Sequence, residues 1–373
     1  MPDLSALDWS ALARLRALFL ARDAAASGPY WQDGATLAAY DATYAERIGW
    51  KWDALLRELR LRHWSPPGDT VLLDFGCGSG VASRRVLAAF GPQRFRALAL
   101  HDHSPEAIAF ASARARTAFP DLPQIAASLD PSAPLPYTLV VSHVLNELAP
   151  SASDQLVALA ARAACILWVE PGTHSDSRAL AKVRNLLLPH HSIVAPCTHR
   201  ETCPLFSQTH ERDWCHFFAE PPTGVQNSAD WVRFAQRAGI DLRSQAYSCL
   251  VLQAHPEASL APASAGRYHP PAAHPARMLG RPEVFKPYAR FLACGSDGLH
   301  WLELSKRVAP ALVKRLGKAA PVALYDLRHD GKNISLATPL LEDTTADKPD
   351  TDSVPTSTNP TNGLPDLQEL PPH

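Results

Sequence analysis

What this 373-residue chain lacks narrows its function first. No apolar run reaches the roughly 18 residues of a membrane-spanning helix, so a protein that makes no use of a membrane is expected. Acids come early, at Asp3 and Asp8, with neither the cationic start of a secretory signal nor the Arg-rich, acid-poor start of a mitochondrial presequence. A bacterial-type cytoplasmic protein is the expectation. Overall charge is nearly absent, at −1, and no internal repeat is visible. Cysteine is scarce and odd in number, at seven, which argues against a disulfide framework. The Asp-Pro-Pro-Tyr type motif that would indicate methylation of a base amino group is missing too. What remains, 46% hydrophobic and 20% charged residues, is the composition of a globular protein long enough for two ordered domains. A monomer is expected.

The most informative stretch is Asp74-Phe75-Gly76-Cys77-Gly78-Ser79-Gly80, which follows the apolar run 71–73 and opens the helical pattern 81–90. Strand, glycine turn and helix start is where a doubly wound α/β fold binds an adenosine-containing cofactor. Glycine permits the turn and lets the ligand lie against bare main chain. After a second apolar run, 97–100, comes Asp102-His103-Ser104-Pro105-Glu106, where a carboxylate can grip two ribose hydroxyls. The spacing is not the dinucleotide Gly-x-Gly-x-x-Gly. It resembles the loop of class I S-adenosylmethionine methyltransferases, and Asp102 with Ser-Pro-Glu resembles their second motif. The cofactor-binding candidates are therefore Asp74, Gly76, Gly78, Gly80, Asp102 and His143.

Alternation continues with strands at 95–101, 124–128, 137–142, 165–169 and 246–253 and helices at 105–116, 152–163 and 228–238, implying a largely parallel sheet. In front of it residues 1–66 read as a helical region, with Tyr40, Tyr44, Ile48, Trp52, Leu55, Leu56 and Leu59 at three- and four-residue steps. Their aromatics read as core rather than binding platform. The cofactor domain is expected over 67–255, with an insertion at 189–222. A Pro/Ala linker then leads to a basic module over 267–330, with β-like runs at 284–294 and 299–305, and 341–373 is expected to be disordered. From Arg267 to Arg328 there are 11 Lys or Arg against 4 acids, and from Glu342 to His373 there are 7 acids against one Lys. The first segment suits phosphate, and the second can shield it.

After the fourth strand come His143, Asn146 and Glu147, and after the fifth Glu170-Pro171-Gly172-Thr173. Ligands of open α/β sheets sit beyond strand carboxyl ends, so both segments should border the pocket. His143, Asn146 and Glu147 are candidates for taking a proton from a methyl acceptor, although a helix start with Asn or Glu near its N-terminus explains them as cheaply. Cys197, Cys203 and Cys215 fall within 19 residues, among His199, His210 and His216. Such a cluster suggests metal, and zinc or iron-sulfur are both open, because thiolates suit either. Cys294, at a strand end before Gly295, is the expected fourth ligand, with the three histidines as weaker ones. Cys249 and Cys165 read as core and Cys77 as part of the cofactor loop.

Taken together, Leu72-Leu73-Asp74-Phe75-Gly76-x-Gly, His143-x2-Asn146-Glu147-Leu148, Glu170-Pro171-Gly172-Thr173, Pro196-Cys197 to Cys203-Pro204 and Trp214-Cys215-His216-Phe217 resemble the methyltransferase-like family of mitochondrial small-ribosomal-subunit assembly factors and their bacterial relatives. The resemblance covers about residues 35–305. It implies a class I methyltransferase fold, S-adenosylmethionine binding, a 4Fe-4S cluster on Cys197, Cys203, Cys215 and Cys294, and contact with small-subunit ribosomal RNA and assembly intermediates. RNA would be the methyl acceptor if the fold is catalytic; otherwise the protein is an RNA-binding assembly factor. The acidic tail and the stretch after Arg307 have no counterpart in that pattern.

Overall fold

The computed structural model describes residues 4, 7–21, 31, 33–129, 136–243, 245–255, 274–317 and 323–341; the linker and the acidic tail, with the disorder expected of it, lie outside them. Helix α1 (Trp9–Ala21) starts where Asp8 accepts the amide hydrogens of Ser10 and Ala11, and α2 (Gly34–Tyr40) where Asp33 accepts that of Thr36. A π-helical turn, Asp41–Ala45, runs into α3 (Glu46–Leu61). Trp52, Leu55, Leu56 and Leu59 form the buried stripe of α3, as their spacing requires.

The sheet domain follows as β1 (Thr70–Phe75), α4 (Val81–Phe90), β2 (Phe95–His101), α5 (Pro105–Ala118), β3 (Gln124–Ala126), β4 (Tyr137–Ser142), α6 (Pro150–Ala160), β5 (Cys165–Pro171), α7 (His174–Leu187), β6 (His191–Ala195), β7 (Phe217–Ala219), α8 (Ala229–Ala238) and β8 (Gln245–Ala254). Strand order is β3-β2-β1-β4-β5-β8-β6, with β7 also on β8. Strands β1 to β5 are parallel, and β8 runs antiparallel to β5, β6 and β7. Continuous apolar runs are what two covered faces demand. Leu72, Val140 and Leu167 pack under α3, α4 and α5, while Val71, Leu73, Leu139, Val141 and Ile166 pack against α6 and α7. The order reverses between β1 and β4, which opens a crevice beyond their carboxyl ends.

Three of these elements, α7, β6 and β7, were not expected from the sequence. Both β6 and β7 join the same edge of β8, so the cysteine-rich stretch between them is anchored at both ends. The C-terminal part is a closed barrel of β9 (Pro275–Val284), β10 (Tyr288–Gly295), β11 (Gly298–Ser305), β12 (Leu324–Asp330) and β13 (Asn333–Pro339), with α9 (Pro310–Leu316) after β11. The runs expected at 284–294 and 299–305 correspond to β10 and β11, whereas β9, β12, β13 and α9 were not expected. Closure leaves no unpaired strand edge. Leu279, Leu292 and Leu299 of the barrel enter the same core as Leu72 and Val251 of the sheet.

A buried ion pair to the barrel forms on Glu58 of α3, whose side chain is almost fully buried. Arg277 of β9 donates Nη1 to Oε1 at 2.5 Å and Nη2 to Oε2 at 2.7 Å, and Arg62 donates Nε to Oε1 at 2.9 Å. Burial pushes this carboxyl upward, but the two guanidinium charges and their hydrogen bonds outweigh it and hold it well below the ordinary carboxylate range. Arg277 also stacks on Phe217 of β7 at 4.3 Å, so this basic residue of the module faces inward rather than toward an external phosphate. Removing one partner of such a group strands buried charge. Glu58→Ala should therefore cost about 3–5 kcal/mol in urea unfolding, and Arg277→Ala less, because Arg62 still pairs Glu58; equal and negligible losses would contradict this.

Candidate functional site

The glycine loop closes the β1–α4 turn. Gly76 and Gly80 hold φ of 70° and 75°, and a Cβ at either would come within 2.7 Å of Val144 or 2.8 Å of Ala111. Gly78, at φ 49°, has open space before it. The amides of Gly76 and Cys77 donate to the carbonyl of His101 at the end of β2, and that of Gly78 donates to Asp102 Oδ2 at 2.9 Å. Ser104 donates its amide to Asp102 Oδ1 at 3.0 Å, which fixes the carboxylate beside the loop with lone pairs to spare.

A cavity of about 1100 Å³ opens at this crevice. Gly76, Gly78, Asp102, His143, Asn146 and Glu147 all line it, while Asp74 and Gly80 do not. Asp74 is fully buried behind the loop, where Oδ2 accepts the Ser83 amide at 3.3 Å and Oδ1 has no partner among the described residues. Burial lifts its pKa to about 6. Its place is under the start of α4, behind the residues that line the cavity. Glu170 is similar: Oε1 accepts from Trp168 Nε1 at 2.7 Å and from the Val144 and Leu145 amides at 3.2 Å, and burial raises it to about 7. It props up the turn at 143–148, which is not a helix start, and of its segment Pro171 reaches the cavity wall.

His143 stands at the switch point with a left-handed φ of 58°, rare for a residue with a Cβ and common at functional sites. Its Nε2 lies 3.3 Å from Nζ of Lys51, a residue that no motif in the sequence marks. Burial, then the neighbouring Arg47 charge, lowers Lys51 to about 7, and burial with the Lys51 charge keeps His143 far below its usual value. Arg47 is itself lowered to about 10 by burial, and its Nε has no hydrogen-bond partner among the described residues. Tyr40, Tyr44 and Ile48 pack against the core as expected and also line the same cavity. The signal was available: Tyr44, Arg47, Ile48 and Lys51 form a second helical face, one with two cations in it, beside the apolar stripe that begins at Trp52. π-Helical turns of the kind next to it occur frequently at functional sites.

The four cysteines Cys197, Cys203, Cys215 and Cys294 converge. All are unbridged and partly buried, and in every pair one is close enough to raise the other's thiol pKa beyond the effect of burial. Arg184 donates Nε to Cys197 Sγ at 3.3 Å, and His199 Nε2 sits 3.5 Å from Cys294 Sγ. Ser177 and Ser248 both donate to the Cys215 carbonyl. Four soft thiols gathered in this way suit zinc or an iron-sulfur cluster, since thiolates serve either. Cys165 and Cys249 are strand-buried, and Cys77 lies in the glycine loop, as read from sequence.

A second cavity, of about 690 Å³, lies between α3, β7 and the barrel. Arg57, Arg243, Arg277 and Arg281 line it, and Arg57 Nε has no hydrogen-bond partner among the described residues.

A parallel sheet with one reversed strand and a glycine-floored cavity at its switch point define a Rossmann-like α/β protein with a separate β module. Residues 42–306 match the family model of the mitochondrial small ribosomal subunit protein Rsm22, and the chain belongs to that family. Among solved structures it is similar to the N-methyltransferase NodS of Bradyrhizobium japonicum WM9 in complex with S-adenosyl-L-homocysteine, at 16% identity over 65% of this chain and 99% of that one, TM-score 0.36. It is similar also to a putative RNA methyltransferase of Pyrococcus horikoshii, at 9% identity over 50% and 76%, TM-score 0.31. A third is the magnesium protoporphyrin IX methyltransferase of Synechocystis with bound S-adenosylmethionine, at 16% over 51% and 90%, TM-score 0.31. No curated protein matches the chain.

Asp74 supplies a test of the buried carboxylate under the loop. A group raised on folding contributes stability that is complete below its unfolded value of 3.8 and is lost as pH climbs to about 6. Asp74→Asn, which keeps an acceptor for Ser83, should stabilise the free protein by on the order of 2 kcal/mol at pH 7.5 and by much less at pH 4. Urea melts at the two pH values would show otherwise if the gain were the same at both.

Proposed function

We propose that the chain binds S-adenosylmethionine in the large cavity, carries a 4Fe-4S cluster on Cys197, Cys203, Cys215 and Cys294, and acts on RNA of the small ribosomal subunit during its assembly. The observation that carries the reading is the cavity itself: glycine main chain and Asp102 on one side, and Lys51, Arg47 and His143 on the other. The first side suits a nucleoside, with Asp102 accepting from ribose hydroxyls. Bound S-adenosylmethionine supplies an electrophilic methyl group. A nitrogen or oxygen that accepts a methyl must shed a proton, and Lys51, part neutral near pH 7, is able to take it. His143, neutral and 3.3 Å away, orients the amine. Asn146 and Glu147 on the same wall are further contacts for the acceptor.

RNA as the partner is supported by the family's ribosomal description and by Arg57, Arg243 and Arg281 in the cavity beside the barrel, where Arg277 is already engaged by Glu58. Phosphate contacts there imply binding that weakens steeply with salt. The convergence of the four thiols, Cys294 coming from the barrel, supports a metal centre, and the family resemblance favours a cluster over a lone zinc.

Transfer of labelled methyl to naked small-subunit RNA and to immature subunits tests the catalytic part. Lys51→Met should lower kcat by about 100-fold or more with cofactor affinity kept, and wild-type kcat should rise with pH through about 7, since the base must be deprotonated. Cofactor binding without incorporation on any intermediate would leave a non-catalytic assembly factor, and absence of cofactor binding would end the reading. Anaerobically purified protein should be brown with about four irons per chain. Replacing any one of the four cysteines with Ser should lose that iron, whereas Cys249→Ser should keep it; a colourless zinc protein would remove the cluster.

A further inference from the structure

We propose that the barrel carries a divalent transition-metal site, of the zinc class, formed by Asp297, His300 and His329. Neither the cofactor cavity nor the cysteine cluster contains these residues. Asp297 lies in the β10–β11 turn, His300 in β11 and His329 near the end of β12, so sequence separation hid the grouping. Their ligand atoms all fall within 4.8 Å of one another. His329 Nε2 is 2.9 Å from Asp297 Oδ2, and His300 Nε2 is 3.5 Å from the same oxygen.

Hydrogen-bond chemistry argues that something positive belongs between them. His329 Nδ1 is 2.8 Å from the carbonyl of Gly331, and a carbonyl only accepts, so Nδ1 carries the proton. In the neutral ring Nε2 then presents its lone pair to an anionic carboxylate oxygen. Two lone pairs at 2.9 Å repel unless a second proton or a cation lies between them. Without metal, His300 Nε2 donates to the Asp297 carbonyl at 3.2 Å, and as a ligand the ring takes its other tautomer and gives that bond up. Histidine metal ligands characteristically fix the distal nitrogen on a backbone carbonyl, as His329 does.

Dimensions are compatible with the cation. Three ligands at metal bonds of about 2.0–2.1 Å in a tetrahedral site stand about 3.4 Å apart. The His300 pair already matches, and the His329 pair needs to open by about half an ångström. Two imidazoles and one carboxylate suit zinc and its neighbours rather than calcium or magnesium. Asp297 is 57% exposed and His329 20%, so water completes the coordination. Bound metal would clip the β10–β11 turn to β12, across the part of the barrel where β13 meets β11 at one residue pair, Glu303 with Asn333.

The test is calorimetric titration of zinc into the untagged full-length protein, compared with His300→Ala, His329→Ala and the shape-conserving Asp297→Asn. Wild type should bind one zinc more than either histidine variant, and Asp297→Asn should weaken that zinc by about 10-fold or more. Cys197→Ser should keep it. Cobalt at the site should give weak visible bands that vanish in His329→Ala and lack the intense near-ultraviolet absorption of thiolate ligands. Equal zinc stoichiometry and affinity in wild type and all three variants would overturn the site and leave a cluster held by protons alone.

Discussion

A buried carboxylate held by two guanidinium groups organises this molecule. Glu58 lies at the carboxyl end of α3, and through Arg277 it fixes that helix against the barrel while Arg62 completes its neutralisation. The same helix carries Lys51 one to two turns earlier, at the wall of the large cavity. One rigid element thus sets both the distance from glycine loop to cation and the position of the barrel that brings Cys294 to the cysteine-rich stretch. Desolvating so much charge is costly, and it is tolerated because both oxygens of Glu58 are paired.

The large cavity is built from unequal partners. On the sheet side the backbone does the work: positive-φ glycines, a carbonyl at the end of β2 accepting two amides, and Asp102 immobilised by two more. On the helical side the work is electrostatic. Lys51 and Arg47, both pushed down by burial, face a neutral His143, so this wall carries charge that a bound ligand is suited to satisfy. Behind the walls Asp74 and Glu170 are raised by burial, which keeps negative charge low at depth and leaves Asp102 and Glu147 as the acids at the surface of the cavity.

Much of this was legible beforehand. Helix 81–90 and strands 95–101 and 137–142 match their apolar runs to the residue, because buried parallel strands and amphipathic helices leave strong periodic signals. The short β6 and β7, the helix α7 and the barrel strands β9, β12 and β13 left none strong enough. Strands β6 and β7 draw their stability from a partner far away in sequence, as β7 does from β8 and from the arginines stacked on Phe217 and Phe218. Tyr40 and Tyr44 show a related limit: periodicity tells which residues share a face, here packed against core, and not that the same side chains also border a cavity.

The sequence by itself determined the α/β alternation, the glycine loop with its following acid, the family, and which cysteines were free to gather, since each is a local pattern of residue types. Tertiary structure alone decided that Asp74 stands behind the loop and Asp102 before it, that Lys51 meets His143, and that Asp297, His300 and His329 share one point in space. Those outcomes depend on burial and on distances between residues tens to hundreds of positions apart. Local spacing carries no information about either.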